Sequence, residues 1–424
     1  MRLARTAVVV VACFATACSP VGGGAQKAAN AAPAAAGGAP PIAPAPVDPG
    51  KLHADAIVVD THDDVTQLMV AEGADIGGSV PAAQTDIPRM RQGGLDAEFL
   101  SVWVPPMFYP GDEAYARSMK EFDAIDAMIA KNGATAALVR TASEVRAAVA
   151  GGKTAFLIGV EGGHSLGSAS DDELLVRLRT FYDRGARYMT LTWSNSNRLG
   201  GSSGDDGRDK GLTPFGERVV HAMNDLGMMV DISHVSDATF ADAVRVSRLP
   251  VLASHSSARA LSPHPRNMTD DMLRAVRDNG GAVCVNFGPE FLDAEWNARW
   301  KAAMDEAGIG ALVKAAKSPA EAQKAIWGKL RALAAVFPKL PASKVIDHIE
   351  HVAKIAGADH TCLGSDFDGI PAGPDGLDDV SKFPLVTKEL LARGFSADDV
   401  RKILGENVLR VLEANERGRA DRGH

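Results

Sequence analysis

Histidines and carboxylates recur in this chain just after short apolar runs. His62-Asp63-Asp64 follows one run and Glu161-Gly162-Gly163-His164 another; His234, His255-Ser256-Ser257 and Asp366-Phe367-Asp368-Gly369 follow three more. A lone residue of this kind is usually a turn former or a helix cap. Repetition on five runs makes a shared metal site the better account. His62 and Asp64 are two positions apart, so on an extended strand end both side chains leave on the same side and can hold one divalent ion. His234 and His255 can hold a second, and imidazole favours zinc over magnesium or calcium. Glu161 ends the apolar run Phe156-Leu157-Ile158-Gly159-Val160, where an unpaired charge is expensive. A carboxylate bridging both ions accounts for that cost; a buried pair with an arginine is the alternative.

Two zinc ions about 3.5–4 Å apart would generate hydroxide from water at neutral pH and polarise a carbonyl, which is machinery for hydrolysis. Asp366 has no evident metal role and can carry a proton from water to a leaving amine. Asp368 then reads as structural. Asp231, three residues before His234, is either an acceptor that orients the histidine ring or a plain strand-end polar residue.

Positioning residues so distant in sequence requires a fold that gathers strand ends. From Ala56 onward, eight β-rich runs alternate with helical stretches: 56–60, 97–104, 154–160, 187–192, 228–232, 250–253, 282–285 and 361–364. Helical periodicity marks 113–131, 171–183, 214–226, 236–246 and 269–278 between them. Alternation of this kind implies an α/β chain with a parallel sheet, and eight units fit a (β/α)8 TIM-type barrel whose C-terminal strand ends meet at one mouth. A doubly wound open sheet is the competitor, disfavoured by the absence of G-x-G-x-x-G after the first strand. Residues 291–315, 319–337 and 343–356 read as a helical insertion before the eighth strand, serving as core packing, a lid or a homodimer contact. The Gly-, Ser- and Asp-rich stretch 197–210 reads as a mobile loop over the mouth.

The chain has 424 residues, a net charge of −8 and 23% charged residues, and it carries no basic block. Nucleic acid, whose phosphates demand a concentrated positive patch, is excluded as a partner. Arg2 and Arg5 precede the apolar run Ala7–Ala17, which reads as a signal peptide over 1–18 and is too short to span a bilayer. Ala15-Thr16-Ala17-Cys18 resembles a lipoprotein cleavage box, although Ala15 replaces the usual Leu. The mature chain is therefore expected in the periplasm, either free or tethered to the envelope membrane through lipidated Cys18. Residues 19–50, rich in Ala, Pro and Gly, cannot bury enough apolar surface to offset their ordering entropy and read as a linker to a domain over 51–424. Four cysteines are too few for a disulfide scaffold. Cys284 and Cys362 read as small buried hydrophobes, with a disulfide between adjacent strands as the alternative.

Val59-Asp60-Thr61-His62-Asp63-Asp64, Gly159-Val160-Glu161-Gly162-Gly163-His164-Ser165 and Gly211-Leu212-Thr213-Pro214-Phe215-Gly216 resemble segments of the membrane (renal) dipeptidase family. So do Asp231-Ile232-Ser233-His234-Val235-Ser236, Ser254-His255-Ser256-Ser257-Ala258 and Gly364-Ser365-Asp366-Phe367-Asp368-Gly369, in the family's order across roughly 52–414. The resemblance implies a binuclear zinc peptidase with His62 and Asp64 on one ion, His234 and His255 on the other, Glu161 bridging and Asp366 transferring the proton. It implies dipeptide substrates, including some with a C-terminal D-residue, and in some members opening of β-lactam rings. It also implies that Arg266 grips the substrate carboxylate. One position departs: Trp193 stands where many members have a histidine contacting the scissile carbonyl, so oxyanion stabilisation falls to Trp193, Asn195 or another nearby donor. Two other readings remain open from sequence. One is an amidohydrolase acting on N-acyl amino acids or cyclic amides, and the other a binding lipoprotein that kept the fold without catalysis.

Overall fold

The computed structural model describes residues 47–316 and 318–420, so the signal segment, Cys18 and nearly all of the linker lie outside the described residues. A helix over Pro49–Asp55, capped by the Asp48 carboxylate, begins in the last two residues of the stretch read as linker. Nine parallel strands follow: β1 Val59–Asp63, β2 Ala97–Trp103, β3 Ala136–Leu138, β4 Thr154–Glu161, β5 Ala186–Thr190, β6 Met229–Asp231, β7 Leu252–Ala253, β8 Ala282–Val285 and β9 Thr361–Leu363. Eight of them run in the order β1-β2-β4-β5-β6-β7-β8-β9, and β3 pairs only with β4, off that path. The ring closes where Asp63 bridges Phe367, with Asp64 N donating to Phe367 O at 2.9 Å and Asp366 N to His62 O at 3.0 Å. This is a (β/α)8 TIM-type barrel.

Alternation along each strand sorts side chains into two cores. Val59, Ala97, Phe99, Leu157, Tyr188, Met229 and Leu252 fill the barrel. Leu100, Phe156, Ile158, Val160, Met189, Val230 and Val283 face outward to the helices. β3 was not expected: three residues, two of them alanine, carry almost no alternation signal. β1 was expected at 56–60 but runs to Asp63, so His62 is a strand residue rather than a residue after the strand.

Helices at Asp171–Asp183 and Pro214–Leu226 match the expected bounds. Thr213 caps the second by accepting from Gly216 N, Pro214 starts it, and Gly227 in the left-handed region ends it. The insertion departs from expectation. The helix foreseen over 291–315 is three pieces, Pro289–Leu292, Ala294–Glu306 and Ile309–Ala315, broken at the cap Asp293 and at Gly308, whose φ is 68°. Trp296, Trp300 and Ala334 give it a small core of its own. Cys284 and Cys362 sit opposite each other in the β8–β9 register and are joined by a disulfide, so the reading as free buried thiols is wrong.

Candidate metal centre and active site

Glu161, the last residue of β4, is buried, and three imidazoles converge on it. Its Oε1 lies 2.8 Å from His234 Nε2 and 3.4 Å from His255 Nε2. Its Oε2 lies 3.7 Å from His62 Nε2, which is also 3.7 Å from Asp64 Oδ2. One carboxylate thus offers one oxygen to the His62–Asp64 pair and the other to the His234–His255 pair. The five residues expected to hold metal are brought together.

Each ring is aimed by what its other nitrogen does. Tyr188 Oη donates to Thr61 O at 3.0 Å, so its oxygen accepts from His62 Nδ1–H at 2.8 Å and leaves His62 Nε2 facing Asp64 and Glu161. Gly159 makes this possible: a Cβ there would stand 1.9 Å from Tyr188 Cζ. His255 Nδ1 lies 2.7 Å from Ser254 Oγ, which donates to Asp231 Oδ2 at 2.7 Å. Asp231 therefore supports His255 through Ser254 and does not touch His234. The acceptor foreseen for His234 is replaced by Ser194 Oγ, 3.4 Å from His234 Nδ1.

His234 holds a φ of 66°, a conformation that costs a non-glycine residue about 1–3 kcal/mol. The loop over 197–210 keeps it there. Ser203 donates to His234 O from both N and Oγ at 2.9 Å, and Ser202 bridges Val235. Ser196, Asp205 and Gly207 lace the same loop together. Its Gly/Ser/Asp composition builds tight turns around hydrogen bonds, and these brace His234.

Burial would raise the Glu161 carboxyl, but the His62, His234 and His255 imidazoles overcome this and hold it well below the usual carboxylate range. Burial, then the charge of Arg266, pushes His234 down to about 3. Burial and neighbouring His62 likewise hold His255 well below its ordinary value. Both rings are thereby kept neutral, the form that ligates metal. His62 Nε2 and Asp64 Oδ1 are buried without hydrogen-bond partners, an arrangement that is costly unless something else satisfies them. His62, Glu161 and His255 offer ligand atoms within 4.8 Å of one another, as do His62, Asp64 and Asp366. An imidazole and carboxylate set with orphaned, convergent donor atoms fits divalent zinc.

Asp366 has a φ of 63° and accepts from Asn286 Nδ2 at 2.8 Å. Burial, reinforced by Asp64 and Glu161 and opposed by His62, pushes its carboxyl well above the ordinary range. Asp368 points away and accepts from Gln84 N at 3.0 Å and Thr85 N at 3.1 Å, the structural role expected.

These groups open into a cleft of about 220 Å³ whose walls include Trp103, Trp193, Trp327, Phe291 and Glu290. Trp193 packs 5.0 Å from Trp103 and 6.2 Å from His234, ring to ring. Ser194 lines the cleft; Asn195 does not, and its Oδ1 is buried without a partner. Arg266 is buried beside Phe291, one of the cleft residues, and its Nε has no hydrogen-bond partner. Its Nη2 donates to His255 O at 3.0 Å and its Nη1 to Ser256 Oγ at 3.2 Å, with Cζ 5.5 Å from the Phe291 ring centroid. Trp327 comes from the insertion helix Pro319–Ala334, and Gln323 on the same helix donates to Gln67 Oε1 at 2.9 Å, fastening it over the mouth.

The sequence profile of the membrane dipeptidase family (peptidase family M19) matches residues 49–422. The chain belongs to that family. It is a hydrolase of the metallodipeptidase type. Dipeptidase verJ of Clonostachys rogersoniana is 33% identical over 382 residues, covering 86% of each chain. A metallo peptidase from Rhodobacter sphaeroides, solved with a phosphinate mimic of the dipeptide L-Ala-D-Ala, is 26% identical with a TM-score of 0.68, covering 85% of this chain and 100% of that one. The probable dipeptidase PvdM from Pseudomonas aeruginosa shares the fold at 24% identity and a TM-score of 0.74, covering 87% of this chain and 98% of that one.

Sequence reasoning missed Tyr188, Ser254, Asn286, Trp103 and Trp327. Tyr188 carried a signal in the pattern: a large polar ring on an inward strand position, with a glycine on the neighbouring strand at its height. Trp327 carried none, because its place depends on how the insertion folds back.

Proposed function

We propose that this chain hydrolyses dipeptides with two zinc ions, His62 and Asp64 holding one, His234 and His255 the other, and Glu161 both. The observation that carries the reading is the division of the Glu161 carboxylate, one oxygen toward each pair. When bound, the ions would supply a nucleophile from water at neutral pH and polarise the scissile carbonyl. Asp366, at the mouth and hydrogen-bonded by Asn286, takes the proton and passes it to the leaving amine. Arg266 uses its remaining N–H donors to hold the C-terminal carboxylate and so measures dipeptide length. Trp103, Trp193 and Trp327 exclude bulk water, which strengthens each of these charge interactions. Trp193 has a single ring N–H to offer the developing oxyanion. A C-terminal D-residue is accepted in this reading, and the enzyme acts outside the cytoplasm, free or anchored through Cys18.

Zinc-loaded protein assayed on L-L, L-D and N-acylated dipeptides tests the reading. Turnover of the free dipeptides that a chelator abolishes and zinc restores is the expected result. Preference for the N-acylated compounds would instead identify an acyl-amino-acid hydrolase.

A further inference from the structure

Four carboxylates line the cleft, and three have work in the reaction just described. The fourth is Glu290, which that chemistry does not use. Its Oε2 is buried without a hydrogen-bond partner. Burial raises the Glu290 carboxyl, its own backbone N–H and the charges of Arg266 and Lys301 oppose this, and Arg266 turns its Nη atoms to His255 O and Ser256 Oγ. A buried carboxyl oxygen left without a donor is costly, and a cation that reaches Oε2 recovers that cost. The surrounding walls suit a cation as well. Trp103, Trp193, Trp327 and Phe291 present aromatic rings, whose quadrupoles attract an ammonium or guanidinium group and repel an anion.

Position decides which part of the substrate would meet Glu290. Phe291, the next residue, is the ring against which the Arg266 guanidinium lies. Glu290 and Arg266 also interact by charge, so Glu290 stands on the side of the cleft near Arg266, where the proposed reading places the C-terminal carboxylate. From these observations we infer that Glu290 selects dipeptides whose C-terminal residue carries a cationic side chain, such as lysine, ornithine or arginine. This rests on the dipeptidase reading and on Arg266 as the carboxylate anchor.

The test compares Ala-Lys with Ala-norleucine, which keeps the aliphatic chain and lacks the charge, on zinc-loaded wild type, Glu290→Gln and Glu290→Asp. The readout is the ratio of kcat/KM for the two substrates within each protein, so a general loss of activity cancels. Wild type should prefer Ala-Lys by about tenfold or more, the size of one charged hydrogen bond. Glu290→Gln should bring the ratio close to one, and Glu290→Asp should keep most of it. A wild-type ratio near one, or a preference that survives in Glu290→Gln, overturns the inference. So does a charge preference found only with Lys-Ala against norleucine-Ala, which would place the cation on the N-terminal residue. Cleavage of Ala-norleucine without charge preference sinks this inference alone; no cleavage of any free dipeptide sinks the dipeptidase reading with it.

Discussion

Tyr188 reaches across the barrel to His62: its hydroxyl oxygen accepts from His62 Nδ1 at 2.8 Å while its own proton goes to Thr61 O. One phenol thus fixes the tautomer of a buried imidazole and the direction of Nε2. The Tyr188 hydroxyl is itself kept protonated by burial.

Removing that oxygen should weaken metal binding without unfolding the barrel. Tyr188→Phe keeps the ring that packs 5.4 Å from Phe99 but leaves His62 Nδ1 buried and unpaired. Loss of such a supporting contact costs about 10–100-fold in metal affinity. Competition with a chelator of known affinity measures it, and an unchanged affinity would show that Tyr188 is only core.

Much of the site was legible from sequence because barrel topology converts strand order into proximity. His62, Asp64, Glu161, His234, His255 and Asp366 each follow or end an apolar run, and all six meet. What could not be read depends on contacts made at right angles to the chain. Asp231 stands three residues from His234 in sequence, yet the β6–β7 pairing delivers its carboxylate to Ser254 and thence to His255. The loop over 197–210 reads as flexible from composition, but its serines and aspartates are spent on bonds that hold His234 and Trp193. Past the end of β5 at Thr190 the chain is irregular, and there Trp193 and Ser194, not Asn195, line the cleft.

If two zinc ions bind as proposed, Asp366→Asn should retain both and lose about 10²–10⁴-fold in turnover, the range for a general acid/base. Elemental analysis beside the assay separates the roles. His62, Asp64 and Asp366 lie close enough to share an ion, so loss of zinc in the variant would make Asp366 a ligand.

A stability prediction sits away from the cleft. Asp96 accepts from Val58 N at 2.9 Å, and burial pushes its carboxyl from 3.8 up to about 6. A carboxyl raised in the folded state contributes stability that is full below about 3.8 and lost as pH rises through about 6. Asp96→Asn can still accept the Val58 bond and cannot ionise. Its stability relative to wild type should therefore rise between pH 4 and pH 7, by about 1–3 kcal/mol in total. Urea unfolding of both proteins at the two pH values checks this, and a constant difference would refute the ionisation argument.

Arg266 decides between a dipeptidase and a broader amidase. If its guanidinium holds the terminal carboxylate, Arg266→Met leaves that anion unpaired in a partly desolvated cleft. Charged hydrogen bonds contribute about 1.5–3 kcal/mol, so kcat/KM on a free dipeptide should fall by roughly ten- to more than a hundredfold. The amidated dipeptide should already be poor for the wild type and little changed by the substitution. Arg266 also ties down His255 O and Ser256 Oγ, so its loss also loosens the proposed metal centre. The amidated substrate controls for this, because damage to the metal centre lowers activity on both compounds alike. A fall confined to the free dipeptide places the carboxylate on Arg266; equal wild-type activity on the two substrates rejects the dipeptidase reading.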